Sequence, residues 1–134
     1  MSESKLLVEL PIAMRWRDLD AFNHANNSVF LTYIEEARLH WFAQIDGAWF
    51  TEKLAPLVAA IHVNYRRQLA WPASLVVQLL CERLGNTSLT LAHRIVDGAD
   101  RSIVYSDGQT VLVWIDTATS KPVALPEAIR SACQ

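Results

Sequence analysis

NNSVFLTYIEEARLHWFAQI, residues 26–45, is the stretch on which the fold turns. Phe30, Tyr33, Ile34, Ala37, Trp41 and Ile45 recur at spacings of three and four, which lines them along one side of a helix. Asn26, Asn27 and Ser28 precede them, and their side-chain oxygens suit the unpaired N–H groups of a helix start. The spacing predicts one long helix over 28–45. Val29, Leu31, Leu39 and Phe42 lie off the stripe, so this helix is expected to be apolar round most of its circumference and largely enclosed.

Outward from the helix the period changes to two. On its N-terminal side, KLLVELPIAM (residues 5–14) reads as a strand, with Pro11 pointing to an edge or a bulge. On its C-terminal side a connector, residues 49–56, leads to Leu57, Ala59, Ile61, Val63 and Tyr65 alternating with Val58, Ala60, His62, Asn64 and Arg66. After Pro72, two further alternating runs, 75–82 and 88–95, flank a Gly85-Asn86 turn. Asp97-Gly98 marks a reversal, and 101–116 forms a last long strand with a bulge expected at Asp107-Gly108. Pro126-Glu127 opens a short terminal helix. The expected class is α+β: one strand, one long helix, then a meander of four antiparallel strands. On the last strand, Val111 is expected on the same face as Val77, Leu79 and Ile95, with Leu112 on the opposite one.

The 134 residues suit one domain spanning 1–134 and leave no length for a second of ordinary size. Hydrophobic residues make up 51%, which excludes a disordered chain, and no internal repeat is visible. A net charge of −2 gives no global positive field for a nucleic-acid backbone or an anionic membrane. The first eight residues hold too short an apolar run for a signal segment, and Cys81 and Cys133 form neither a CxxC spacing nor a disulfide framework. A cytoplasmic protein without metal or other cofactor is expected. Five Trp are many for so small a core, and some of them are expected on a subunit interface.

Reactive side chains concentrate just ahead of the helix. Asp18, Asp20, His24, Asn26 and Asn27 fall within ten residues, where backbone N–H groups and the positive end of the helix dipole favour a developing oxyanion. A carboxylate beside such a donor is a hydrolytic arrangement. The same residue types also serve as turn and cap residues, and Asp18 is read as a tie to Arg15, Arg17 or the loop backbone. His62 and His93, within strands, are read as structural.

The segment RWRDLDAFNHANNSVFLTYIEEAR (Arg15–Arg38) resembles the signature of hotdog-fold acyl-CoA thioesterases of the 4-hydroxybenzoyl-CoA thioesterase type. It has D-x-D, a His four residues on, paired Asn, and an aromatic helix running into E-x-A-R. The likeness continues through Val63-Asn64-Tyr65-Arg66-Arg67, the Leu84–Leu89 turn, Val111–Asp116 and Leu125-Pro126-Glu127. The resemblance implies the hotdog fold, a curved antiparallel sheet around one long helix, and hydrolysis of an acyl-CoA. It makes Asp20 the nucleophile or general base, and the backbone N–H of Asn27 the oxyanion donor, with His24 as a third catalytic candidate. Asn26, Tyr65, Arg66 and Arg67 are the candidate substrate-binding residues. As neighbours on a strand, Arg66 and Arg67 are expected to point to opposite faces, one of them towards a coenzyme phosphate. The resemblance also implies a homodimer or homotetramer. Where many relatives carry Gly between the acid and the His, this chain has Phe22 and Asn23, and Ala73-Ser74 replaces a frequent Gly-Asp. Two other readings keep the fold: an acyl-CoA hydratase or dehydratase, whose usual motif is not found, and a non-catalytic acyl-thioester binding protein.

Overall fold

The computed structural model describes residues 4–134. The reading of the N-terminus as free of a signal segment falls partly on residues 1–3, outside the described residues. Five strands, β1 (Lys5–Ala13), β2 (Leu54–Tyr65), β3 (Ser74–Leu84), β4 (Ser88–Asp97) and β5 (Val104–Asp116), form one antiparallel sheet in the order β1-β3-β4-β5-β2. The long helix α1 (Asn27–Ala43) lies across one face, and a short helix α2 (Glu127–Cys133) closes the chain. A curved sheet around one long helix is the hotdog arrangement that the resemblance implies.

The expected four-strand meander is corrected to three strands, β3-β4-β5, because β2 pairs with β5 and β1 with β3. Helix α1 is the reason: it crosses the sheet between β1 and β2 and so delivers the chain from one edge to the other. Pro11 does sit on an edge strand, opposite Val76. The long last strand holds from Val104, three residues later than expected, but its register runs unbroken past Gly108, and the irregularities fall opposite Ile95 and Val96 of β4 and between Val58 and Ala60 of β2. Gly108 serves close approach instead: a Cβ there would lie 1.9 Å from the His62 carbonyl oxygen and 2.9 Å from Cε1 of His93.

Phe30, Tyr33, Ile34, Ala37 and Trp41 are buried along one side of α1, as their spacing requires. They meet Leu75, Val77, Leu79, Leu89, Leu91 and Ile95 of the central strands. Of the off-stripe residues only Phe42 is buried, while Leu31 is 40% and Leu39 56% exposed, so α1 is not enclosed within one chain. On β5 the inward residues are Leu112 and Trp114, which reverses the expected facing of Val111 and Leu112. Trp41 and Trp114 are core, with the Trp114 indole donating to the Trp49 carbonyl at 2.8 Å, whereas Trp16 and Trp71 stand in solvent. Cys81 and Cys133 are both buried thiols, and burial together with the neighbouring Cys81 pushes the Cys133 thiol up to about 12. No helix among the described residues is long and apolar enough to cross a membrane.

His93 is buried against Gly108 with Nε2 on the Ser106 hydroxyl at 3.3 Å, but Nδ1 has no partner among the described residues, so it is only half satisfied. Burial pushes its imidazolium down to about 4; the charge of Asp107 works against this and His62 reinforces it. An unfolded chain accepts that proton near pH 6.5 and the native state refuses it. Stability is therefore full above about pH 6.5, falls by up to about 3 kcal/mol as the pH drops towards 4, and gains no further loss from this group below that. Urea midpoints measured from pH 7 to pH 4 are expected to follow this slope in the wild type and to lose most of it in His93→Leu.

Candidate active site

The loop between β1 and α1 owes its shape to Asp18. This side chain is 2% exposed and accepts hydrogen bonds from the Tyr33 hydroxyl at 2.6 Å and the Arg15 backbone N–H at 3.0 Å, with the Arg15 guanidinium 3.4 Å away. Burial opposes its ionisation, yet Tyr33 and Arg15 together hold its carboxyl below the usual range. The same pairing and burial push the Tyr33 phenol up. The tie to Arg15 is as expected; Tyr33, fifteen residues away and read only as helix core, is an addition that local sequence does not signal.

Asp18 anchors a small antiparallel reversal. The Asn26 N–H donates to the Asp18 carbonyl at 2.9 Å, and the Asp20 N–H to the His24 carbonyl at 2.8 Å. At its tip Asp20 Oδ1 accepts from the N–H groups of Phe22 at 2.8 Å and His24 at 3.3 Å. Asn23 adopts a φ of 62°, a left-handed conformation that Asn tolerates better than most residues. A second segment braces the loop from outside: the Ala25 N–H reaches the Leu69 carbonyl at 2.7 Å, and His24 bridges to Ala70. With Oδ1 committed to the loop, Asp20 Oδ2 has no hydrogen-bond partner among the described residues, so one carboxylate oxygen is left for chemistry.

Asn26 is the N-cap of α1, its Oδ1 accepting from the Ser28 N–H at 2.9 Å and the Ser28 hydroxyl at 2.8 Å. Asn27, the first helical residue, keeps an N–H with no acceptor among the described residues, as first-turn donors do when nothing caps them. Its carbonyl accepts from the Tyr65 hydroxyl at 3.0 Å. Tyr65 thus ties the end of β2 to the helix start, and its ring lies edge-on to Phe30 with centroids 5.2 Å apart.

Asp20, His24, Asn27, Tyr65, Arg66 and Arg67 line one cavity of about 510 Å³. Phe22, Ala25, Phe30, Gln68 and Leu69 complete it; Gln68 and Leu69 come from a loop with no pattern of its own. Asn26 is not on its wall and acts on the cavity by capping. His24 lines the cavity, but its link to Asp20 runs through the His24 main-chain N–H and carbonyl. The expected opposed facing of Arg66 and Arg67 is corrected, since β2 ends at Tyr65 and both arginines lie beyond it, where strand alternation no longer applies. Arg66 Nε pairs with Asp107 at 3.1 and 3.2 Å, and this pair helps hold the Asp107 carboxyl below its usual range against the effect of burial. Arg67 makes no side-chain hydrogen bond or ion pair among the described residues. No group of three His, Cys, Asp or Glu side chains within reach of one metal ion occurs among the described residues.

The sequence profile of the thioesterase-like superfamily matches residues 14–133, which take in the loop, α1, strands β2 to β5 and α2. The long-chain acyl-CoA thioesterase FadM of Escherichia coli is 30% identical over 125 residues, 92% of this chain and 94% of that protein. Among solved structures, the XC229 protein of Xanthomonas campestris is 49% identical with a TM-score of 0.78, covering 84% of this chain and 96% of that one. A Thermus thermophilus thioesterase solved with coenzyme A and zinc is 33% identical with a TM-score of 0.80, covering 96% and 92%. A profile match that runs nearly the length of the chain, with a relative 30% identical over 92% of it, makes this protein a member of the thioesterase-like superfamily, with the hotdog fold of its acyl-CoA thioesterases.

Proposed function

We propose that this thioester hydrolase cleaves acyl-CoA substrates in the Asp20 cavity. One observation supports the reading: Asp20, with a carboxylate oxygen that has no partner among the described residues, and Asn27, whose N–H has no acceptor among them, line the same cavity. Hydrolysis needs those two things together, a group that attacks or deprotonates water and a donor for the oxygen that becomes negative. Acting as base, Asp20 takes a proton from water as its oxygen bonds to the thioester carbon. The carbonyl oxygen becomes an oxyanion on the Asn27 N–H, and collapse breaks the C–S bond, with the proton passing to the departing thiolate. Acting as nucleophile, a carboxylate oxygen of Asp20 adds to the thioester carbon and expels the thiolate as the C–S bond breaks, leaving a mixed anhydride that water opens to the free acid and the restored carboxylate. The His24 ring flanks the reacting carbonyl in either route. Asn26 and Tyr65 hold the helix start in place, Arg67 meets a phosphate of the coenzyme, and Arg66 stays anchored to Asp107 as a neighbouring positive charge.

The working unit in this reading is a homodimer. Strand β2 is a twelve-residue edge on which Leu57, Val58 and Ile61 are all more than 40% exposed, and Val58 lines one cavity with the exposed Leu39 of α1. Thiol release from short, long and aromatic acyl-CoAs, run on protein characterised by sedimentation velocity, tests both parts. Turnover by a species of twice the chain mass is expected. Coenzyme A binding without thiol release would instead favour the acyl-thioester binding reading, and a fully active monomer would remove the dimer.

A further inference from the structure

Asp20 and the N–H of Asn27 can act together only if the loop that carries the acid is held in register with the helix that carries the donor. Outward, residues 15–25 are tied to a neighbouring segment, through the Ala25 N–H on the Leu69 carbonyl and the bridge from His24 to Ala70. Towards α1 they make, among the described residues, one side-chain hydrogen bond: the Tyr33 hydroxyl donates to Asp18 Oδ2 at 2.6 Å. Both side chains are buried.

Asp18 stands where one bond bears on both reacting groups. Asp20 is two residues on. The Asp18 carbonyl accepts the Asn26 N–H at 2.9 Å, and Asn26 both caps α1 and precedes Asn27. Leu19 bridges Ala25 and the Asp20 N–H donates to the His24 carbonyl, so the two arms of the reversal move as one piece. Tyr33 lies six residues past Asn27, about 9 Å along a helix rising 1.5 Å per residue. Its hydroxyl meets Asp18 on the N-terminal side, the direction in which long helical side chains point. The helix that offers the oxyanion donor therefore also anchors, nearly two turns on, the loop that offers the acid.

Filling space under the helix would need only an apolar side chain. A buried carboxylate is costly unless donors surround it, and its bond to a phenol is good only over a narrow range of distance and angle, so it fixes position as packing alone does not. Burial opposes the ionisation of Asp18, while Tyr33 and Arg15 favour it; burial and the bond to Asp18 push the Tyr33 phenol up, so it stays a protonated donor. The Arg15 N–H and guanidinium serve the carboxylate from the loop's own side, and only the Tyr33 bond crosses from loop to helix. Resting on the hydrolytic reading above, we propose that the Tyr33–Asp18 bond is a clasp that sets the separation of the Asp20 carboxylate from the Asn27 N–H. Tyr33 and Asp18 are then positioning residues, acting on the reaction without touching the substrate.

Tyr33→Phe tests this, because it keeps the ring and its packing beside Phe30, with centroids 6.3 Å apart, and removes only the hydroxyl. On any acyl-CoA the wild type cleaves, kcat is expected to fall about 10- to 100-fold, since a misplacement of about 1 Å can cost about 10²-fold, with KM staying within about 3-fold. The single variant leaves a buried carboxylate short of a donor and should melt lower. The double variant Asp18→Ala/Tyr33→Phe removes both partners and leaves neither orphaned, so its melting temperature should recover towards wild type while kcat stays low. Asp18→Asn, whose amide oxygen still accepts from the phenol, should hold kcat within a few-fold. Recovery of kcat together with the melt in the double variant, or wild-type kcat in a folded Tyr33→Phe, overturns the clasp. Amide hydrogen exchange supplies a readout independent of turnover: in Tyr33→Phe the N–H groups of Asp20 and Asn26 should exchange faster while those of β3 and β4 keep the wild-type rate. Equal acceleration throughout the sheet makes Tyr33 ordinary core and also overturns the proposal. A wild type that releases no thiol, with that local exchange pattern in Tyr33→Phe, loses the hydrolase and keeps the clasp; one that hydrolyses acyl-CoAs, with Tyr33→Phe at full kcat, does the reverse.

Discussion

Asp20→Asn is expected to lower kcat on any acyl-CoA the wild type cleaves by about 10²- to 10⁴-fold, the usual worth of a positioned base. The substitution is chosen because it isolates the chemistry. In the wild type Asp20 Oδ1 accepts from the Phe22 and His24 N–H groups, and that acceptor role shapes the loop. The amide oxygen of Asn can take both bonds, so the reversal, the brace from Leu69 and the N-cap of α1 all persist. What disappears is the negative charge and the ability to take a proton or form an anhydride at the other oxygen. Asp20→Ala would confound the two effects, since it leaves two loop N–H groups without their acceptor. Steady-state kinetics beside a thermal melt reads the distinction: a large fall in kcat with an unchanged melting temperature is expected. Wild-type turnover in Asp20→Asn would remove the carboxylate from the reaction and leave the cavity a binding site.

The readings that came through from sequence rest on local chemistry. The stripe from Phe30 to Trp41 buries as its spacing demands, and Asn26 caps the helix as its residue type allows. Asp20 and Asn27 line one cavity because only six residues and one tight reversal separate them. What failed depended on contacts across the sheet. The facing of Val111 and Leu112 could not be read from a run apolar at every position, VLVW, where period two has no contrast to register. Strand order was misread because a strand pattern does not name its neighbour, and the helix crossover that carries β2 to the far edge is a tertiary event. Arg66 and Arg67 were assigned opposite faces by extending β2 a residue beyond Tyr65, where it stops. Tyr33 on Asp18 and Trp71 on Trp16 link residues far apart in sequence, and each partner taken alone reads as ordinary core or loop.

Asn27→Pro is the sharper test of the oxyanion site, because it deletes a backbone donor while leaving the helix intact. Proline is favoured at the first helical position, where its missing N–H has no intrahelical acceptor to lose and its fixed φ suits the turn. The residue before a proline must be extended, and Asn26 already has φ −62° and ψ 140°. The Asn26 side chain bonds the Ser28 N–H, not that of Asn27, so the cap survives, and the Asn27 carbonyl remains for the Tyr65 hydroxyl. Stability should therefore hold or rise slightly. Removing one oxyanion donor costs about 10²- to 10³-fold in kcat, and the ground-state carbonyl leans on that donor less than the transition state does, so KM should move far less. Asn27→Ala supplies the control, since it removes the side chain and keeps the N–H; it is expected to stay within a few-fold of wild type, roughly the scatter of a residue making no transition-state contact. If Asn27→Pro folds and turns over normally, the oxyanion is held elsewhere, and if Asn27→Ala is equally inactive, the amide side chain is the donor in place of the main chain.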